Sequence, residues 1–304
     1  MKAKDLGMLL VLATLWGGSF LFMRVAAPEL GPVLLIELRV LIAGLLLLAY
    51  ARLTRFDLEI RKYWKPYLVI GLLNSALPFT LIATAELHLT AGFAAILNAS
   101  TPLFGALVAA AWLKEPISGK KGVGLALGLA GVMIVMGWSP FTLDTILVLS
   151  ILSSLFAATS YGLASVYTKI ATKGVRPLAL STCSQLSAAL FLLPIAPFTM
   201  PNHFPSLTVV LAVTALAVFS TAFAFLLYFR LIANIGPTRT LTVTFLAPVF
   251  GVIWGVLLLN EPLSLSTLLG FAVVLSGVGL VVGLKIPLLG GNAGRKSDAA
   301  MLPK

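Results

Sequence analysis

Ten times along its 304 residues the chain runs for roughly the thickness of a bilayer with nearly all its charges held to the edges. The runs are residues 6–25, 31–51, 66–86, 90–112, 120–138, 144–170, 176–197, 206–230, 236–259 and 265–285. A transmembrane helix needs about 20 apolar residues. Lipid offers no hydrogen-bond partner to a backbone, so only helices and closed barrels span it. The runs are too long and too continuous for barrel strands of about ten alternating residues. They predict an all-α integral membrane protein of ten transmembrane helices. Composition agrees: 60% of residues are hydrophobic and 10% charged, against about 25% charged in a soluble domain, and mean hydropathy is +1.06. The single cysteine, Cys183, lies in an apolar run and cannot form an intramolecular disulfide.

The formal net charge is +11, and its distribution gives its meaning. With the N-terminus in the cytoplasm, all but two of the 21 Lys and Arg residues fall in cytoplasmic segments or at their helix ends. The exceptions are Arg24, at the outer end of the first span, and Arg39, inside the second. This bias predicts a multi-pass protein of the cell membrane with both termini cytoplasmic. The positive charge is a topology signal and an attraction to the inner leaflet. No nucleic-acid partner is expected.

The second half repeats the first. Pro102–Gly137 and Pro248–Gly283 align without gaps at an offset of 146 residues, with 14 of 36 positions identical. Upstream the match weakens: Leu15–Phe20 lies near Leu155–Ser160. Each repeat holds five spans. Five is odd, so the second copy enters from the opposite side of the membrane. We read residues 1–140 and 141–287 as two inverted five-helix repeats and 288–304 as a disordered cytoplasmic tail, polar and Gly-rich. Inverted repeats are a common build for secondary transporters, because equivalent halves can rock around a central site.

Pro102 and Pro248 fall near the middle of the fourth and ninth spans. A proline lacks the N–H that would bond the carbonyl four residues back. Those residues are Asn98 and Thr244. Each half is thus expected to present a freed carbonyl and a polar side chain at the membrane midplane. Matching helix breaks in two repeats point to a substrate site; the alternative is a kink that serves packing. Other polar or aromatic side chains in the spans are candidates too. Trp16 and Ser19 share a face of helix one, and Asn74 interrupts helix three. Tyr161, Gln185 and Tyr228 lie in helices six, seven and eight.

Glu37 and Arg39 are the only charges well inside a span. Two residues apart, they point to different faces. Intramembrane charge is a functional candidate by default, with a snorkelling structural pair as the alternative. Glu86 and His88 flank the outer turn after helix three, either as titrating groups or as solvated loop residues. The doubled Glu-Pro motifs, Glu115-Pro116 and Glu261-Pro262, read as hinges or caps, with Ser118 and Ser264 capping the next helices. Gly124, Gly128 and Gly131 in helix five, and Gly270, Gly279 and Gly283 in helix ten, permit close helix packing, within one chain or between protomers.

The tandem Pro-Leu/Val-Phe-Gly…Glu-Pro pattern, with "LWGGSF" in helix one, "ELRV" in helix two and "LHLTAGFAAIL" before helix four, resembles the EamA-type members of the drug/metabolite transporter superfamily. The resemblance spans the chain to about residue 287. It implies ten helices in two inverted repeats and a central cavity lined mainly by helices one, three, four, six, eight and nine. It also implies export of amino acids, metabolites or toxic compounds. It would set Trp16, Asn74, Asn98, Tyr161, Tyr228 and Thr244 near that cavity, and Arg39 matches an arginine often found in helix two of the family. Small relatives couple protons through a glutamate in helix one. Helix one here holds no acid between Leu9 and Phe20, so coupling would fall to Glu37 or Glu86, or the protein is a uniporter.

The expected function is secondary active export of a small neutral or zwitterionic metabolite, such as an amino acid, by alternating access. Export of hydrophobic drugs is the alternative, and a channel or an intramembrane enzyme ranks below. There is no Walker-type loop for ATP. His88 and His203 fall in outer loops, apart from any Cys or Glu cluster, so no catalytic residue, metal or cofactor is expected. The expected partners are the substrate, the bilayer and candidate protons, with the chain as monomer or homodimer.

Overall fold

The fold is that of a computed structural model, which describes residues 2–137, 144–236, 240 and 242–283. The tail expected at 288–304, and residues 138–143 between the repeats, lie outside the described residues.

Among the described residues the chain is helical, without strands. The helices are α1 Ala3–Leu30, α2 Pro32–Leu53, α3 Ile60–Ala85, α4 Ala91–Leu113 and α5 Gly119–Gly137 in the first half. In the second they are α6 Thr145–Ala171, α7 Pro177–Leu192, α8 Leu207–Ile235, α9 Val243–Leu259 and α10 Leu265–Val282. Seven are long and apolar enough to cross a membrane, while α7 and α9 are shorter apolar helices. Caps set several starts. Thr90, Asp144, Ser206 and Ser264 each accept a bond from the backbone N–H three residues on. Ser264 is the cap expected beyond the second Glu-Pro motif.

Lipid tails are as apolar as leucine, so helices in a bilayer associate through close packing and small residues. The α5–α10 seam shows this best. A Cβ built on Gly124 would lie 2.6 Å from the Gly277 carbonyl oxygen, and one on Gly131 would lie 2.8 Å from that of Gly270. Gly270 is the repeat equivalent of Gly124, and Gly277 that of Gly131. Each glycine therefore faces the counterpart of the other, as an antiparallel two-fold requires. The same two-fold relates two further crossings. Gly17 of α1 packs on the α9 backbone, where a Cβ would meet the Gly251 nitrogen at 2.8 Å. Gly162 of α6 packs on α4, where it would meet the Gly105 nitrogen at 2.9 Å. These reciprocal contacts establish two inverted five-helix halves.

The helix breaks are not mirror images. The α4 helix is interrupted at Ala99–Ser100, and Pro102 occupies the first turn of its second segment, Thr101–Leu113, where a missing N–H is tolerated. The freed Asn98 carbonyl accepts the Thr101 hydroxyl at 2.7 Å. In α9 the helix runs unbroken through Pro248. That proline sits in the second turn of a segment beginning at Val243, and Phe245 and Leu246, the equivalents of Ala99 and Ser100, are helical.

Candidate substrate-binding site

Two wide turns occupy equivalent places in the two halves. Residues Leu72–Ala76 of α3 and Val218–Phe223 of α8 are π-helical. They start 146 residues apart, the offset of the repeat. Such turns are rare and are found often at functional sites. A polar bond ties each to the opposite half. Arg39 Nε on α2 donates to Thr221 Oγ1 in the α8 turn at 3.1 Å. Gln185 Nε2 on α7 donates to Ser75 Oγ in the α3 turn at 3.2 Å. Arg39 and Gln185 are repeat equivalents, as are Ser75 and Thr221. Sequence comparison of the halves misses this pair because arginine and glutamine share no letter, although both can donate from a long side chain.

Two aromatic pairs also join the halves. The Tyr161 ring meets Phe79 edge-on at 6.3 Å between centroids, and Trp16 meets Phe225 in the same way at 6.4 Å. Phe79 and Phe225 are repeat equivalents. Tyr228 closes on Trp16 at 5.4 Å, so these two expected residues do come together. The Arg39 guanidinium stacks 3.7 Å from the centre of the Phe79 ring and also donates to Met23 Sδ at 3.4 Å.

The remaining expected residues are spread more widely. Asn98 is half-buried at the α4 break, Asn74 is half-buried within the α3 turn, and Ser19 is buried on α1. Thr244 is exposed on the first turn of α9. Gln185 is fully buried, with its amide nitrogen taken up by Ser75. Glu37, 3% exposed, has no hydrogen-bond partner on either carboxylate oxygen.

Glu86, in the turn after α3, is fully buried rather than solvated, and neither of its carboxylate oxygens has a hydrogen-bond partner. Burial pushes its carboxyl well above the usual range; Glu261 adds to the rise, while Arg24 and Arg39 oppose it. Its backbone, by contrast, is held. The Arg24 guanidinium donates to the carbonyls of Glu86 and Leu87.

The two Glu-Pro motifs stand at opposite ends of α4 and do different work. Glu261 reaches across the halves to the start of α4. Its carboxylate accepts the amides of Ala91 at 2.6 Å and Gly92 at 3.0 Å, where the helix dipole favours negative charge. Glu29 does the same at the start of α8, accepting the Ser206 amide at 2.6 Å and its hydroxyl at 2.8 Å. Glu115, at the far end of α4, instead makes an exposed ion pair with Lys169 at 2.8 Å.

Burial differs in the same sense. Ala247, Pro248, Gly251, Val252 and Gly255 of α9 are buried, whereas their equivalents in α4, Thr101, Pro102, Gly105, Ala106 and Ala109, are half-buried. The halves are alike in sequence and unlike in packing, more buried along α9 after Pro248 than along α4 after Pro102.

Fold and site together define a polytopic α-helical membrane protein of two inverted repeats, joined to each other by polar bonds and ring contacts. The model of the EamA-like transporter family matches residues 5–137 and 148–283, and the chain belongs to that family. It is similar to the "Uncharacterized transporter YvbV" of Bacillus subtilis, 28% identical over 283 residues, covering 92% of each chain. It is also similar to the "Uncharacterized inner membrane transporter YedA" of Escherichia coli K12, 30% identical over 284 residues, covering 90% of this chain and 89% of the relative. A solved structure titled "Crystal structure of protein" matches its fold with a TM-score of 0.67 at 19% identity, over 95% of this chain and all of that one.

Proposed function

We propose that the protein is a secondary carrier that exports a small neutral or zwitterionic metabolite, of the amino-acid kind, across the cell membrane by alternating access. The observation that carries this reading is the inequality of equivalent helices. Ala247, Pro248, Gly251, Val252 and Gly255 of α9 are buried and the five matching α4 residues are half-buried, although Leu103 and Val249 differ in the opposite sense. Two halves that can each adopt either packing would exchange roles, opening one end as the other closes. Glu261 acts as the latch of the closed end, since it bonds one half to the other through Ala91 and Gly92. The substrate lies between Trp16, Tyr228, Tyr161 and the polar break at Asn98. Glu86 is the coupling carboxylate. It is buried without a hydrogen bond, facing Arg24 from α1, Arg39 from α2 and Glu261 from the turn after α9, so a change in its proton alters the charge balance around the latch.

The test is counterflow and efflux of radiolabelled amino acids in proteoliposomes, with and without a pH gradient. Transport should be saturable, concentrative under the gradient, and reduced by Asn98→Ala with the protein still inserted. Downhill flux that never concentrates would make the protein a channel or uniporter. Absence of flux for every solute, with specific binding intact, would end the carrier reading. A second reading, export of lipophilic drugs, draws on the run of ring contacts from Trp16 through Phe225 and Tyr228 to Phe229. Uptake of a lipophilic dye in the same vesicles would favour it.

A further inference from the structure

The mirrored joints differ in one respect. Gln185 joins α7 to the α3 turn with a neutral amide, buried and 3.2 Å from Ser75. A neutral donor therefore suffices to make this joint in this fold. At the equivalent position the chain places an arginine, 4% exposed. Its Nε makes the joint and a second nitrogen rests on Met23 Sδ. Among the described residues no carboxylate lies within ion-pair distance of it. Glu86, the acid that acts on it through space, has no hydrogen bond on either oxygen.

A buried charge left unpaired is costly, and the cost is removed only by a counter-charge with good geometry. The guanidinium is also held in place before any anion arrives. Phe79 covers one face at 3.7 Å, and Thr221 and Met23 fix its orientation. Beside it stands the half-buried Phe79–Tyr161 pair, one ring from each half. A planar fork of donors held in this way matches a carboxylate, which takes two parallel N–H bonds.

We infer that Arg39 is the anion-recognising residue of the site, and that the transported molecule carries a carboxylate seated on its guanidinium. This rests on the carrier reading above and narrows it. A zwitterion or a monocarboxylate fits, and an amine without an acid does not. The joint at Gln185 cannot serve in the same way, because an amide carries no charge to offset that of the ligand. The two-fold is thus broken by chemistry at the position where the ligand must be held in one orientation.

The experiment measures thermal shifts of the purified full chain with L-amino acids and short monocarboxylates, each beside its carboxamide, which keeps the shape and removes the charge. The wild-type protein should be stabilised by at least one acid and not by its amide. Arg39→Gln installs the residue of the mirrored joint, so its ligand-free melting temperature should hold. Its affinity for the acid should fall roughly 10- to 100-fold, the range for hydrogen bonds to charged groups, and its preference for acid over amide should vanish. Arg39→Lys keeps the charge without the fork and should lie between the two. If Arg39→Gln does not fold, the acid-to-amide ratio of Arg39→Lys decides. Equal binding of acid and amide by the wild type, an unchanged preference in the variants, or no shift with any acid overturns the inference. Flux in proteoliposomes separates the two claims. Transport with an unaltered KM in Arg39→Gln sinks the arginine site and leaves the carrier. Acid-selective binding without transport of any solute sinks the carrier and leaves the site.

Discussion

Glu261 caps the helix that begins at Ala91, although 170 residues separate them. Its second oxygen takes the Gly92 amide, so one carboxylate satisfies two of the donors that a helix start leaves free. The bond joins the end of α9 to the start of α4, and so one repeat to the other.

Replacing Glu261 by alanine should free those amides. Two charge-assisted bonds at a helix start, opened in a wet turn, are worth about 2 kcal/mol. Amide exchange at Ala91 and Gly92 should then accelerate by roughly 30-fold. Glu115→Ala should leave the same amides unchanged, because its partner is the exposed Lys169 at the other end of α4. Equal effects from both substitutions would refute the assignment of the latch to one end.

Glu86 gives stability a pH dependence of definite sign. Its carboxyl is raised by burial, so the folded protein holds a proton that the unfolded chain releases in the ordinary carboxylate range. That contribution is complete below the unfolded value and is lost as pH rises through the folded one. Melting temperature should therefore fall on the alkaline side, and Glu86→Gln, which cannot ionise, should flatten the slope. A wild-type curve that instead rises through this range would show that the two arginines outweigh burial.

The α5–α10 seam predicts a contrast between two glycines. Gly277→Ala puts a Cβ 2.5 Å from the Gly124 carbonyl oxygen and the Gly128 nitrogen. Backbone cannot yield as a side-chain tip can, and overpacking of this kind costs roughly 1–3 kcal/mol. Gly122→Ala meets nothing within 4 Å and should be neutral or gain up to about 1 kcal/mol from helix propensity. Thermal unfolding in detergent compares the two.

Gln185→Leu should destabilise the protein without altering the acid-to-amide preference of binding, since its amide serves the Ser75 joint alone. Loss of about 1 kcal/mol is expected for one buried neutral bond. A change in ligand preference would place Gln185 at the substrate after all.

The ten spans were legible because hydrocarbon thickness dictates their length, and the inversion was legible from an odd number of helices per repeat. Ser264 was readable as a cap because capping is a local matter. The Glu261 cap was not, since its partner lies in the other repeat, and sequence spacing says nothing about contacts across a two-fold. The outer turn illustrates the same limit. Charge and loop position left Glu86 open to a solvated reading, while the fold buries it completely. The π-turns carry no signature in residue type; only their equal offset, visible once the backbone is known, marks them as a pair. Pro102 and Pro248 match in sequence, yet α4 is interrupted just before the first and α9 runs through the second.

The reciprocal glycine seam has a consequence for descent. An interface in which each residue faces the counterpart of its partner is what two copies of one gene product make when they pair in opposite orientations. A chain built from one such gene could hold only the same residue at both positions of the joint. A single chain carries no such constraint: one half has a neutral glutamine at 185 and the other a cation at 39. Asymmetry of charge, which a dimer of identical halves cannot encode, is open to a single polypeptide.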